Sequence, residues 1–301
     1  MIDIETDLRN QGVVQAIERD DPVPVFNWLL SSFGYQGISD TVASGFALKH
    51  GSASWQQIDA ELSRRPSCPR LRNYWRFAKC GYNKTSAHCN ELAHIDNCPL
   101  PRHPLRNGRL NQTAYSFYLF VRDFANGNFL RWLDERLSLD LTLETALLAP
   151  LRHVHGISDK ILMMSLSSLL LCAPTAKPHW FTMGKDMVAV DSLVHNFFHR
   201  TGILDHFGAN HLYGPHCYRP GSCANIIRDA SAQIDAREFN TAFPVDFPRF
   251  VQNAIWRYCA GEHFNMCNGN RIDDRKACSL SYCQVGSLCG REPLNALKTA
   301  I

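Results

Sequence analysis

Two short segments of the chain bring together residue types that could carry out chemistry. The first covers residues 154–160 and reads VHGISDK, and the second covers residues 188–191 and reads VAVD. The first is typical of a glycine-containing turn between two helices, where exposed backbone N–H groups can bind an anion such as a phosphate. Lys160 would follow this turn, and Asp191 would open a later helix. A lysine and an aspartate beside a phosphate site are the groups that attack on a sugar carbon requires.

The composition is that of an ordinary globular protein that is rich in cysteine. The 301 residues are 45% hydrophobic and 20% charged, with a formal net charge of +3. This balance neither demands nor excludes a nucleic-acid partner, because a local basic patch matters more than the total charge. The 12 cysteines favour metal binding over a disulfide framework, because the acidic first residues lack the apolar segment of a secretion signal.

The elements that must position Lys160 and Asp191 are predicted to be helices. Apolar residues recur at helical spacing along most of the chain, and convincing alternating strands are absent. Proline, glycine and asparagine mark loops at residues 99–107, 174–184 and 208–221. The longest apolar run, residues 161–173, is too short to span a bilayer. We therefore expect an all-α, cytoplasmic protein without a membrane partner, associated with the nucleoid if it is bacterial.

The two opening segments resemble those of the helix-hairpin-helix DNA glycosylases, in particular the endonuclease III branch. In that family the hairpin reads L-P-G-(I/V)-G-x-K, and V-D-(T/V)-H begins a later helix. Gly156 and Lys160 match the first glycine and the lysine, and Asp191 matches the aspartate. By this resemblance Lys160 is the attacking amine and Asp191 the carboxylate that stabilises positive charge on the sugar.

Three positions depart from the family pattern. Ser158 replaces the second glycine, His155 replaces the proline, and Leu193 stands where the family has histidine. The hairpin should still form if residue 158 avoids positive φ, and Ser158 is strained if it does not. The resemblance implies that His155, Gly156 and Ser158 contact the phosphates of the lesion strand.

Two further segments resemble the same family. Residues 29–40 look like its L-L-S-x-Q-(A/T)-x-D segment, whose glutamine, here Gln36, enters the gap left by an extruded base. Residues 80–87 look like the G-(L/F)-Y-x-x-K-A loop that presses into the minor groove and lowers the cost of unstacking a base. The residues implied to contact DNA in that loop are Tyr82, Asn83 and Lys84.

A cluster of cysteines near the C-terminus predicts a metal centre. Its members are Cys259, Cys267, Cys278, Cys283 and Cys289. Endonuclease III relatives carry C-x6-C-x2-C-x5-C in this region and hold a [4Fe–4S] cluster through four thiolates. The step from Cys283 to Cys289 matches, whereas the other steps are longer. The resemblance implies that the last four cysteines bind the cluster, with Cys259 as an alternative first ligand. A structural zinc is the rival cofactor, and free thiols are the remaining alternative.

Two other groups of cysteine and histidine remain weaker candidates. Cys68, Cys80, Cys89 and Cys98 form a possible second metal site, although buried small hydrophobic residues explain them equally well. Cys217, Cys223, His211 and His216 indicate only a polar loop.

The resemblance also implies an architecture. A six-helix barrel with the hairpin would cover residues 24–184, with an insertion at about residues 99–140. A second helical domain with the metal-binding loop would combine residues 1–23 and 185–301, and DNA would bind in the cleft between the two domains.

The activity implied by the resemblance is base-excision repair. A monomer would bind double-stranded DNA, flip a damaged or modified base and cleave its N-glycosidic bond, and a Schiff base on Lys160 would nick the abasic site by β-elimination. Two alternatives stay open. One is a non-catalytic hairpin module with a structural metal, and the other is a monofunctional glycosylase for an unusual modified base. The fold cannot reveal which base is removed.

Overall fold

The protein divides into two compact units, Met1–Met183 and Gly184–Ile301. In this computed structural model the described residues are 2–34, 45, 48, 53–63, 68–83, 88–89, 109–173, 177–268 and 272–294. In these ranges every regular element is a helix except for one pair of two-residue strands. The predicted all-α class is confirmed at this level. Among the described helices, none has both the length and the apolar character needed to cross a bilayer.

The first unit is built from short helices and one small strand pair. Its helices are α1 (Ile2–Asn10), α2 (Val13–Glu18), α3 (Pro22–Phe33), α4 (Trp55–Ser63), α5 (Tyr74–Phe77), α6 (Arg109–Asp123), α7 (Phe129–Ser138), α8 (Ala149–Leu151) and α9 (Asp159–Leu171). A π-helical stretch, Glu144–Leu148, runs directly into α8. The strands β1 (Tyr82–Asn83) and β2 (His88–Cys89) pair antiparallel. A further helix, α10 (Pro178–Lys185), contains the boundary between the units.

Aromatic side chains form the core of the first unit. Phe26 of α3 stacks on Phe117 of α6, with ring centroids 4.8 Å apart and an interplanar angle of 3°. Trp55 of α4 meets Phe26 edge-on at 5.0 Å, and Phe129 of α7 meets Phe117 in the same way at 5.3 Å. Such pairs add to the large apolar area that each ring buries. The core therefore joins α3, α4, α6 and α7.

The described part of the expected insertion at residues 99–140 comprises residues 109–140 and contains α6 and α7. Tyr115, Phe117 and Phe120 of α6 and Leu133 of α7 are fully or almost fully buried. The wide aromatic stripe of α6 is removed from water by this central position. Both helices are part of the core of the first unit, and the insertion itself stays a prediction.

The N-terminal helices pack within the first unit. Helix α2 packs against α3, and α1 packs against α2 and α9. Leu8, Val13 and Ile17 are buried there. In this structure the N-terminal helices therefore group with α3 and α9, while the division into a barrel domain and a second domain stays a prediction.

In the described part of the second unit, four helices pack around an apolar core. These are α11 (Ser192–Arg200), α12 (Ile203–His206), α13 (Cys223–Ser231) and α14 (Pro248–Cys259). Single 3-10 turns lie at Pro215–Tyr218 and Ala236–Glu238. Val190, Val194, Phe198 and Ile227 form part of the core, which also contains two cysteines, Cys217 and Cys223. Thiols in such a core are shielded from water.

Candidate functional site

The predicted helix–turn–helix forms between α8 and α9. Gly156 takes a left-handed conformation with a φ of 83°, which glycine adopts without steric cost. Ser158 has φ −95° and ψ 158° and serves as the N-cap of α9. Residue 158 therefore avoids positive φ, and the serine is not strained. Leu151, Val154 and Ile161 are almost fully buried and fix both sides of the turn.

Helix α6 contacts the turn through the hydroxyl groups of Thr113 and Ser116, both buried. The Thr113 hydroxyl donates to the backbone carbonyl of His155 at 2.8 Å, and the Ser116 hydroxyl accepts from the His155 N–H at 2.9 Å. These bonds satisfy both backbone groups of one turn residue, which limits its freedom. The His155 side chain is half-buried, with its ring 6.0 Å from that of Phe77.

The end of the hairpin presents backbone donors and a lysine. Within the described part of the chain, the N–H groups of Ile157 and Ser158 have no hydrogen-bond acceptor. Lys160 lies one residue inside α9, is half-buried, and pairs with no described carboxylate. The carboxylate of Asp159 pairs with Arg152, which contacts its two oxygens at 2.7 and 3.0 Å. Arg152 also pairs with Glu144, so it offsets only part of the negative charge of these two carboxylates beside the turn.

Asp191 caps the first turn of α11. Its Oδ1 accepts a hydrogen bond from the Val194 N–H at 2.9 Å, and its side chain is half-buried. The preceding residue is also fixed, because the Tyr218 hydroxyl accepts from the Val190 N–H at 3.0 Å. Burial lowers the pKa of Arg249 to about 10, and the charges of Tyr218 and Asp191 oppose that shift. Hydrogen bonds therefore hold the Asp191 side chain and the neighbouring backbone, and the Arg249 guanidinium lies within electrostatic range of the carboxylate.

Four of the predicted DNA contacts are not tested by the geometry. Gln36 and Lys84 lie outside the described residues. Tyr82 and Asn83 are described only as the backbone of β1, paired with Cys89 and His88 of β2. Their role at the minor groove stays a prediction.

The C-terminal cysteines collect near the end of α11. The Cys289 thiol donates to the Arg200 carbonyl at 3.4 Å, and the Cys283 sulfur lies 3.2 Å from the Tyr258 hydroxyl. The pKa of Cys289 is raised by burial and, secondarily, by the charges of the other three members, which are Cys267, Cys283 and Cys278. The other three predicted ligands are therefore within electrostatic range of Cys289. Hydrogen bonding to Cys267 raises the pKa of Cys259, so the alternative ligand is close as well.

The buried Arg200 tests whether this region suits an anionic metal centre. Its side chain pairs with Asp274, yet its Nε and Nη1 atoms are buried without a partner in the described part of the chain. Burying a cation this way is costly unless negative charge lies nearby. Arg200 lowers the pKa of Cys267, after a larger effect of hydrogen bonding from Cys259. The donor set and the orphaned N–H groups both fit a cluster bound by thiolates.

The second candidate cysteine group is only partly described. Cys68 and Cys89 are buried and Cys80 is half-buried, and the Gln112 side chain donates to the Cys80 sulfur at 3.7 Å. Cys98 lies outside the described residues. A metal site in this group stays a prediction.

A different group of histidines and cysteines comes together inside the second unit. His195, His211, Cys217 and Cys223 place one potential ligand atom each within 4.8 Å of the others. The His195 Nδ1 atom is 3.6 Å from the Cys217 sulfur and 3.7 Å from the Cys223 sulfur. The His211 Nε2 atom is 3.5 Å from the Cys223 sulfur. In the described ranges, no other set of three or more such side chains is close enough for one metal ion.

The burial and hydrogen bonding of this group suit metal ligands. Cys217 and Cys223 are fully buried, and only 4% of His195 is exposed. The Nδ1 atom of His211 donates to the Ala209 carbonyl at 2.6 Å, which leaves the Nε2 lone pair for a metal. Hydrogen bonding between the thiols lowers the pKa of Cys217 and raises that of Cys223. These four residues could therefore hold a metal.

The expectation of a polar loop is wrong for its two cysteines, because Cys217 and Cys223 lie in the core. His211 is a half-buried loop residue beside them, and His216 is exposed in the 3-10 turn Pro215–Tyr218. His195, on the buried face of α11, had no candidate role in the sequence. The spacing H-x15-H-x5-C-x5-C resembles no familiar metal-binding motif, so the usable signal was the density of histidine and cysteine in this stretch.

Comparison with known proteins adds no assignment to this geometry. No protein-family model, no curated protein and no solved structure matches this chain.

Proposed function

We propose that this protein is a DNA glycosylase with AP lyase activity. It would bind double-stranded DNA as a monomer, extrude a damaged or modified base and release it, and then nick the abasic strand. The observation that carries the proposal is the hairpin, whose Gly156 turn leaves backbone donors and Lys160 together at the start of α9.

The hairpin supplies the grip on DNA. The N–H groups of Ile157 and Ser158 and the positive end of α9 would bind one phosphate of the lesion strand, which fixes register without reading sequence. Gln36 and the loop around Tyr82, Asn83 and Lys84 would fill the space that the extruded nucleotide leaves.

Lys160 and Asp191 would perform the chemistry. As the N-glycosidic bond breaks, its electron pair leaves with the base and positive charge develops on the sugar, which the Asp191 carboxylate stabilises. The Lys160 amine, after it gives up a proton, attacks C1′, and the C1′–O4′ bond then breaks as O4′ takes up a proton, which leaves the ring-opened sugar bound as a Schiff base. Loss of a C2′ proton then expels the 3′ phosphate, and the strand is nicked.

The C-terminal thiolates would hold a [4Fe–4S] cluster, with structural zinc as the alternative. The ligands would be Cys267, Cys278, Cys283 and Cys289, with Cys259 as the alternative first ligand. A cluster of this kind supplies rigidity and a fixed charge at this end of the second unit. The two orphaned N–H groups of Arg200 favour an anionic centre of this kind.

A second candidate is a hairpin module that binds DNA without catalysis. The hairpin and the hydroxyls that hold it all belong to the first unit, so phosphate binding does not require Asp191. Binding to damaged duplexes without base release or strand cleavage on any of them would favour the non-catalytic module. Clean base release without a covalent adduct would instead indicate a monofunctional enzyme.

Borohydride trapping on duplexes that each carry one modified base tests the proposed activity. We expect the wild type to form a covalent adduct on at least one duplex and Lys160→Gln to form none, because the amide cannot make a Schiff base. Lys177→Gln is the matched control, since Lys177 lies in the same unit but pairs with Asp134 at 2.9 Å. An adduct that persists in Lys160→Gln would rule out this lysine as the nucleophile.

Replacing Gly156 with alanine should weaken DNA binding. An L-residue in the left-handed region costs about 1–2 kcal/mol, and relief of this strain would move the turn. Gly127→Ala is a matched control, because Gly127 has a φ of 78° in a turn of the same unit with open space around it. Both variants should lower the stability of the first unit similarly. Only Gly156→Ala should reduce duplex affinity in a titration, and equal affinities would contradict the role of the hairpin.

A further inference from the structure

The group formed by His195, His211, Cys217 and Cys223 has the dimensions of a mononuclear tetrahedral site. Zinc binds sulfur at about 2.3 Å and histidine nitrogen at about 2.0–2.1 Å, so tetrahedral angles place sulfur and nitrogen about 3.6 Å apart. The three measured nitrogen–sulfur distances are 3.5, 3.6 and 3.7 Å. Three of the six distances between ligand atoms therefore match a tetrahedral zinc ion, and all four atoms lie within 4.8 Å of one another.

Other uses of the same residues agree less well with this arrangement. A Rieske-type [2Fe–2S] centre binds its two histidines to one iron and its two cysteines to the other, which would separate nitrogen from sulfur. A disulfide between Cys217 and Cys223 would not account for the two histidine nitrogens that lie beside the sulfur atoms. A catalytic zinc keeps an open position for water or substrate, whereas both thiols here are fully buried.

The four residues come from separate parts of the second unit. His195 lies on α11, His211 on the loop after α12, Cys217 in the 3-10 turn Pro215–Tyr218, and Cys223 at the start of α13. One ion would therefore cross-link two helices and the long connection between them. The hydrogen bond from His211 Nδ1 to Ala209 orients that ring, as partners of metal-bound histidines commonly do.

Two backbone hydrogen bonds connect Asp191 and its neighbour Val190 to this group of ligands. One turn of α11 separates it from His195, whose N–H donates to the Asp191 carbonyl at 3.0 Å. Tyr218 follows Cys217 directly in the sequence, and its hydroxyl accepts a hydrogen bond from the Val190 N–H. A metal that fixes His195 and Cys217 thereby fixes the backbone on both sides of Asp191.

We propose that His195, His211, Cys217 and Cys223 bind one zinc ion as a closed structural site, and that this site positions Asp191. The zinc site is independent of the activity, whereas the positioning role rests on the proposed glycosylase function. His195 and Cys217 act here as positioning residues and do not touch substrate.

Metal analysis of the full-length protein tests the site itself. Zinc and iron are measured separately, so that a C-terminal cluster does not interfere. We expect His211→Ala and Cys223→Ser to lose one equivalent of zinc relative to the wild type, and His216→Ala, whose exposed side chain neighbours Cys217, to keep it. Equal zinc in all four proteins, or a Cys217–Cys223 disulfide in freshly isolated protein, would overturn the site.

Cobalt substitution supplies a spectroscopic readout of the wild-type site, so the test does not depend only on metal loss from a variant. The wild type reconstituted with Co²⁺ should show the visible bands of a tetrahedral ion and thiolate charge transfer. A Cys278→Ser, Cys283→Ser, Cys289→Ser variant, which lacks the other candidate thiolates, should keep that spectrum. A wild type without tetrahedral bands, or bands that vanish in the triple variant, would overturn the assignment.

The positioning role is tested by comparing rate with affinity in His211→Ala. The hairpin lies in the first unit, so we expect duplex affinity to stay unchanged while single-turnover base release falls by about 100-fold, as for a displaced catalytic group. Loss of zinc with a wild-type rate would overturn the positioning role. If the wild type releases no base at all, the proposed function fails, whereas the zinc and cobalt measurements still decide the site.

Discussion

Asp191→Asn is expected to lower the single-turnover rate of base release by about 100- to 1000-fold, which is the usual effect of removing one preorganised electrostatic group from a transition state. Asparagine keeps the side-chain oxygen that accepts from the Val194 N–H at 2.9 Å, and it caps helices as well as aspartate does. The substitution therefore removes the charge and leaves the start of α11 intact.

The comparison that isolates this effect is Asp21→Asn. Asp21 caps α3 in the first unit and accepts from the Val23 N–H at 3.2 Å, so the same chemical change occurs at a cap without a proposed role. We expect the free energy of unfolding of both variants to stay within about 0.5 kcal/mol of the wild-type value, because their helix caps persist. Asp21→Asn should release base at the normal rate. A normal rate in Asp191→Asn would remove this carboxylate from the mechanism.

Loss of a metal ligand should have the largest effect on stability. Structural zinc contributes about 10–16 kcal/mol of binding free energy in zinc-finger peptides at neutral pH, which rivals the whole stability of a typical domain. We expect Cys217→Ala to lower the melting temperature of the second unit by more than about 10 °C, because 1 kcal/mol already shifts a domain of this size by several degrees. Calorimetry of the full-length protein measures the shift.

Cys172→Ala separates metal binding from the loss of a buried thiol. Cys172 is 2% exposed in the first unit, and its thiol donates to the Leu169 carbonyl at 2.9 Å. This variant should lose only local packing and a hydrogen bond, about 1–2 kcal/mol. Excess zinc should raise the melting temperature of the wild-type second unit until the site is saturated, and should not rescue Cys217→Ala. Equal shifts in the two cysteine variants would contradict a structural ion.

The sequence allowed the helical class and the turn at Gly156 to be predicted, because both depend on local patterns. Apolar residues at helical spacing specify helices, and Gly156 is the residue of the turn that takes positive φ. The place of α6 in the fold could not be predicted in the same way. A stripe such as Tyr115 to Phe120 fits either an inserted helix or a central one, because packing partners are not a local property of the sequence.

The histidine–cysteine centre could not be predicted from the chain, since its geometry is entirely tertiary. The ligands are separated by long intervals, and His195 occupies a position that an apolar residue could equally fill on α11. Their meeting depends on how α11, α13 and the connecting turn pack around the core. The C-terminal cysteines drew attention because their spacing resembled a known motif, whereas this group offered only its composition.

The extended backbone of Ser158 has a consequence for which substitutions this turn can tolerate. With φ at −95° and an exposed side chain, this position places little steric demand on the residue that occupies it. Many other amino acids could therefore replace Ser158 while the path of the chain stays the same. Gly156, with a φ of 83°, is restricted to glycine or to a strained residue. Two residues apart, the same turn contains one position open to change and one closed to it.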